Sequence, residues 1–138
     1  MACACAALGN FYWKERSHAA LLDRLAKYGE VTVQWEYLPL PHVYQLSVGT
    51  GVTNDDLREI VSMPEFKDVT RLYLKSHDLT DASLRDVHLF NSLEHVLIDS
   101  DNITDDTIID FEARHPACRV IAYGRDLNEG IDVTLGPP

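Results

Sequence analysis

Apolar residues along this chain recur in two alternating spacings. Short runs with a period of two, Leu46 and Val48, then Leu72 and Leu74, then Val96 and Ile98, each have a further apolar residue three positions earlier, at Val43, Val69 and Leu93. Alternation of this kind sends every second side chain to the same face of a strand. After each run the spacing lengthens to three: Leu57, Ile60 and Met63; Leu84, Val87 and Phe90; Ile108 and Phe111. That spacing predicts one buried side of a short helix. Cys118, Ile121 and Tyr123 fit a fourth strand copy, so the pattern returns about every 25 residues.

Between strand and helix the chain repeats a turn. VTNDDLREI begins at Val52, LTDASLRDV at Leu79 and ITDDTIIDF at Ile103. In each, Thr53/Asn54, Thr80/Asp81 or Thr104/Asp105 offers side-chain oxygens to the free N–H groups of a helix start, where carboxylates also suit the helix dipole. The unit is therefore strand, turn and capped helix. Units of this length predict parallel neighbouring strands with the helices on the opposite side, an α/β arrangement.

The N-terminal stretch departs from the repeat. A helix is predicted over about 15–28, with Ala19, Leu22, Leu25, Ala26 and Tyr28 near one face and Gly29 as its stop. Val31, Val33, Trp35 and Tyr37 then alternate with Thr32, Gln34 and Glu36, which predicts a strand over about 31–37. The link Pro39-Leu40-Pro41-His42 is too short for a parallel crossover, so this strand should pair antiparallel with the next.

The blocks VTRLYLKSHDLTDASLRDV and SLEHVLIDSDNITDDTIIDF resemble leucine-rich repeats of the cysteine-containing, ribonuclease-inhibitor-like class, whose helices start aliphatic-Thr-Asp-x-x-Leu. The ending HPACRVIAY resembles the last strand of short bacterial repeat proteins of that class. The resemblance runs from Val43 to Tyr123 and implies a short α/β solenoid. Residues 1–42 would be an N-terminal helix-strand cap, 43–123 three repeats plus a closing strand, and 124–138 a tail. In the tail, Ile131, Val133 and Leu135 fit either one more extended segment or a frayed end. One departure stands out: the position after the strand that usually holds Asn or Cys holds Gly51, His77 and Asp101, so the family's usual side-chain ladder between turns lacks its ordinary residues.

Composition narrows the function classes. In 138 residues there are 12 Lys+Arg against 22 Asp+Glu, a net charge of −10, which argues against sequence-independent binding to nucleic acid or to an anionic membrane. Five of the acids, Asp55, Asp56, Asp81, Asp105 and Asp106, sit at the predicted helix starts, where the fold itself favours them. Cys3, Cys5 and Cys118 lack paired spacing, the opening MACACAALGN has no preceding Lys or Arg, and no run approaches the ~20 apolar residues of a membrane span. A cytoplasmic protein without a membrane span is the expectation.

Candidate chemistry is sparse. The six histidines form no HxxxH or HxH pair, the acidic run Asp99–Asp106 fails the register of a calcium loop, and no GxSxG or phosphate-binding Gly-rich motif occurs. No metal, cofactor or catalytic residue is expected, and the chain reads as non-enzymatic. What remains is the sheet face turned away from the helices. Stacking the repeats gives three expected rows: Gln45, Arg71, His95 and Val120; Ser47, Tyr73, Leu97 and Ala122; Gly49, Lys75, Asp99 and Gly124. At its centre lie Arg71, Tyr73, Lys75, His95, Leu97 and Asp99, with Arg and Tyr as favoured binding anchors. A protein or peptide is the expected partner, which the repeat resemblance also implies. The plainer alternative has Tyr73 and Leu97 packing across strands while Lys75 and Asp99 form a surface pair. A second functional expectation is an assembly or structural factor docking through the N-terminal cap, with Phe11, Tyr12 and Trp13 as its contact segment.

Overall fold

The period-two runs become the strands of one sheet: β1 (Val31–Glu36), β2 (His42–Val48), β3 (Arg71–Leu74), β4 (His95–Ile98) and β5 (Arg119–Ala122). They lie side by side in chain order, with β1 antiparallel to β2 and β2 through β5 parallel. This is a computed structural model describing residues 16–37 and 42–125. Four α-helices accompany the sheet: α1 over 16–25, α2 (Asn54–Val61), α3 (Asp81–Asp86) and α4 (Asp105–Arg114). The fold is thus α/β with a mostly parallel sheet. No helix among the described residues is long and apolar enough to cross a membrane.

Helices α2, α3 and α4 follow one another, α2 against α3 and α3 against α4. Their buried residues, Leu57 and Ile60, Leu84, and Ile108 and Phe111, join the inward strand residues Leu46, Val48, Leu72, Leu74, Val96 and Ile98 in a single core. Burial of these side chains is the main stabilising force, and each contributes on the order of 1.5–3 kcal/mol relative to exposure. In β1, Val31, Val33 and Trp35 pack against this core while Thr32, Gln34 and Glu36 are exposed.

Three sequence expectations need correction. On α1 the buried face is Leu21 and Leu25, continued by Tyr28 in the 3-10 turn Ala26–Tyr28, while Leu22 is 50% exposed and Ala19 and Ala26 face solvent. The large apolar side chains seven and four apart won over a face drawn through two alanines. Gly29 does end this segment: its φ of 89° and a would-be Cβ only 2.9 Å from Thr50 O both require glycine.

The second correction concerns β5. Arg119 pairs with His95, Val120 with Val96, Ile121 with Leu97 and Ala122 with Ile98. Val120 and Ala122 therefore point inward, and Ile121 and Tyr123 outward, the reverse of the expected copy. A slip of one residue turns every side chain of a strand over. Both registers of Val-Ile-Ala-Tyr are apolar, so hydrophobicity alone does not choose between them; the larger pair, Ile121 and Tyr123, is the one left outside.

The third correction is the ladder between turns, which exists one position earlier than the resemblance indicates. The buried Ser76 hydroxyl donates to Val52 O at 2.8 Å, and that of Ser100 to Leu79 O at 3.1 Å. A second ladder runs along the helix starts. Asn54 Oδ1 accepts from Thr80 N at 3.0 Å, and Asp81 Oδ1 from Thr104 N at 2.7 Å. After β5 the Arg125 guanidinium meets the corresponding acceptors of the third turn, donating to Ile103 O and to Asp105 Oδ1 at 2.9 Å, and also to Ser100 O at 2.6 Å. Thr53 and Thr104 cap their helices as expected, Thr53 in a reciprocal box with Asp56, whereas the Thr80 hydroxyl accepts from Asn54 instead of capping α3.

The bond from Thr104 N, then its hydroxyl, holds the Asp81 carboxyl below the usual carboxylate range. The unfolded chain therefore takes up this proton first as pH falls, and the stabilisation by Asp81, present above the ordinary Asp range, is lost as pH drops through its lower folded value. Two outcomes are expected. Asp81→Asn flattens the loss of stability below about pH 4 seen in denaturant titrations of the parent chain. Leu74→Ala, at a fully buried strand position, lowers the unfolding free energy by about 2–5 kcal/mol in the same titrations.

Candidate binding face

Backbone pairing fixes the rows of the open sheet face. In the first, Gln34 of β1 is followed by Gln45, Arg71, His95 and Arg119; in the second, Thr32 by Ser47, Tyr73, Leu97 and Ile121. The ladder continues past the strand ends through Lys75 N to Val48 O, Asp99 N to Leu74 O and Tyr123 N to Ile98 O, each 2.8 Å, which sets Lys75, Asp99 and Tyr123 in a third row. Arg71, Tyr73, Lys75, His95, Leu97 and Asp99 all lie on this face. The closing column is Arg119, Ile121 and Tyr123 instead of the expected Val120, Ala122 and Gly124, which follows from the register of β5.

An unexpected aromatic joins them. Between Gln34 and Trp35 the register with β2 shifts, so that Gln34 faces Gln45 and Trp35 faces Val43, leaving Tyr44 as the extra residue of a bulge. Its hydroxyl donates to Gln34 Oε1 at 2.5 Å, and the Arg71 guanidinium carbon lies 6.0 Å from its ring centroid. The sequence spacing does not mark this bulge, because the three-residue step from Val43 to Leu46 recurs from Val69 to Leu72 and from Leu93 to Val96, where the register does not shift.

Exposure and charge divide the face. Arg71, Lys75, Asp99 and Arg119 are exposed, while Tyr73, His95 and Leu97 are half-buried; Ile121 is 40% and Tyr123 64% exposed. Tyr73 and Leu97 are direct cross-strand neighbours, so part of their burial is packing within the sheet. Lys75 and Asp99 make no salt bridge; Lys75 Nζ instead stands 5.8 Å from the Tyr73 ring centroid. Elsewhere Arg24, Lys27, Arg58, Arg114 and Arg125 are engaged with carboxylates at 2.5–3.1 Å. Arg71, Lys75 and Arg119 take part in no salt bridge among the described residues, as is also true of Arg16, Lys67 and Arg85 away from this face. Between the two arginines, His95 Nδ1 is buried without a hydrogen-bond partner.

Other chemistry-bearing residues are placed differently. Cys118 is buried at 8% exposure, and burial, with the Glu112 charge as a second cause, pushes its thiol up, away from the reactive thiolate. Along the acidic run, Ser100 is buried in the turn ladder and Thr104 caps α4, so these residues serve the turn. No group of three or more His, Cys, Asp or Glu side chains among the described residues could hold a metal ion. Cys3, Cys5, Phe11, Tyr12 and Trp13, and the segment through Ile131, Val133 and Leu135, lie outside the described residues.

No protein-family model matches the chain, and no curated protein is significantly similar to it, so its functional reading rests on the residues of this face.

Proposed function

We propose that this chain is a non-enzymatic interaction module that binds a protein or peptide on the open face of its sheet, and that its strand-turn-helix units are short leucine-rich repeats arranged as a solenoid. The observation that carries the binding reading is the row Arg71, His95 and Arg119 beside the row Tyr73, Leu97 and Ile121: two arginines without a salt bridge among the described residues, next to half-buried and exposed apolar side chains, on backbone held by parallel pairing. Anchors on strands keep their spacing when a ligand arrives, so little ordering cost falls on the protein side. Arg and Tyr are also the side chains that most often dominate binding energy. The repeat reading draws support from the serine ladder and from the Asn54 and Asp81 bonds, which tie successive units in the same way.

A face three rows deep and four parallel strands wide is small, near the low end of stable interfaces, which favours weak or transient binding. A cytoplasmic partner fits the reading, and nucleic acid does not, given the net charge of −10.

The experiment is capture from native lysate with the full chain, comparing the parent, Arg71→Ala/Tyr73→Ala, Arg85→Ala and a deletion of residues 1–14, each checked for an unchanged thermal melt. Capture of a specific partner should be lost with the double variant and kept by Arg85→Ala and by the deletion. Loss with the deletion alone would overturn the sheet-face reading in favour of docking through the N-terminal cap.

A further inference from the structure

Resting on that reading, we infer that the segment taken up by the open face is an acidic, extended peptide of a partner protein, in which an Asp or Glu and a large apolar residue stand two positions apart. The first support is charge. Arg71 and Arg119 flank His95 in one row, all three in register, and neither arginine takes part in a salt bridge among the described residues. Strands lie about 4.8 Å apart, which puts the two arginine backbones about 10 Å from each other, a span that two guanidinium groups close around one carboxylate. In a chain of net charge −10, this face sets two such arginines in one row, two strands apart.

The second support is spacing. Along β4 the His95 row is followed two residues later by the Leu97 row, where Tyr73 and Ile121 stand on either side. Two residues of a strand rise about 6.7 Å, and an extended ligand has the same rise. A peptide lying along β4 therefore sets alternate side chains over successive rows: a carboxylate over Arg71, His95 and Arg119, and an apolar side chain over Leu97 and Ile121. Tyr44 broadens the cationic row with an aromatic ring beside Arg71.

The third row decides against longer polyanions. Asp99 stands there between Lys75 and Tyr123, so the basic surface ends after one row, whereas a nucleic acid strand needs a continuous track for its phosphates. At physiological salt, charges beyond about 8 Å are screened, so one or two carboxylates seat locally despite the acidity of the whole chain.

The test uses the full chain and labelled synthetic peptides read by fluorescence anisotropy. One set carries Asp or Glu two positions from Leu, Ile or Phe, in both orders; matched sets replace the acid by Asn or Gln, the acid by Lys, or the apolar residue by Ser. A short single-stranded oligonucleotide is a separate arm. The acid-and-apolar set should bind at least about tenfold more tightly than each matched set, and Arg71→Gln and Arg119→Gln should each weaken it about tenfold, with Lys67→Gln, a cation off the face, leaving it unchanged. Higher salt should weaken binding. If neutral peptides bind equally well and Tyr73→Ala abolishes both, acid recognition is overturned while the face remains a binding site. Equal weakening by Lys67→Gln overturns the proposal by showing a diffuse charge effect, and tighter, Arg71-dependent binding of the oligonucleotide overturns the partner class. Failure of every peptide overturns it too; lysate capture that still depends on Arg71 and Tyr73 would then leave the broader reading standing, and capture independent of them would remove both.

Discussion

Everything in this molecule depends on the parallel register of β2 through β5. Parallel neighbours cannot be joined by a tight turn, so each strand must be followed by a crossover that returns the chain to the same end of the sheet. Helices α2, α3 and α4 lie on those crossovers, and their apolar sides meet the inward strand residues in one core. Stacked pairs such as Leu46 with Leu72 and Leu72 with Val96 fill the space under adjacent strands with side chains of similar volume. The same pairing dictates the outer face: once Leu72 and Leu74 are committed inward, Arg71, Tyr73 and Lys75 have nowhere else to point. Core and candidate site are two sides of one constraint.

Register needs polar support, because the turns joining strand to helix bring backbone carbonyls to the edge of the core. Val52 O and Leu79 O meet the hydroxyls of Ser76 and Ser100, side chains that are themselves buried. Each such bond contributes a net stabilisation of about 1 kcal/mol, but a carbonyl left buried without its donor costs about 1–3 kcal/mol. The ladder is thus better understood as a guard against misplaced turns than as a large source of stability. Asn54 and Asp81 repeat the arrangement nearer solvent, linking each helix start to the next.

How much of this was legible in the amino-acid sequence depended on whether one spacing allowed one solution. The β2, β3 and β4 rows are as the alternation predicts, because a polar residue stands on at least one side of each buried position: Gln45 and Ser47 around Leu46, Arg71 before Leu72, His95 before Val96. The six face residues followed directly. β5 was ambiguous because Val120, Ile121, Ala122 and Tyr123 are apolar on both registers; only the equal 24-residue spacing of Arg71, His95 and Arg119 separates them. On α1 alanine carries little weight as a marker of burial, and Leu21 with Leu25 outweighs Ala19 and Ala26. The serine ladder is not legible because small hydroxyl residues are common on surfaces, and the resemblance points one residue later, to His77 and Asp101. Tyr44 is not legible, because the bulge that brings it to this face leaves the step from Val43 to Leu46 the same as that from Val69 to Leu72.

Arg125 sheds light on how such an array acquires its length. Its guanidinium reaches Ser100 O and also Ile103 O and Asp105, which correspond to the acceptors that serine and threonine engage in the two preceding turns. The contact is local: one side chain meets both kinds of acceptor, and nothing in it depends on how many units precede it. Duplication of one strand-turn-helix unit would leave this contact intact and widen the outer face by one strand. The arrangement is in this sense extensible by simple copying of a genetic segment, with sheet face added in increments of one strand.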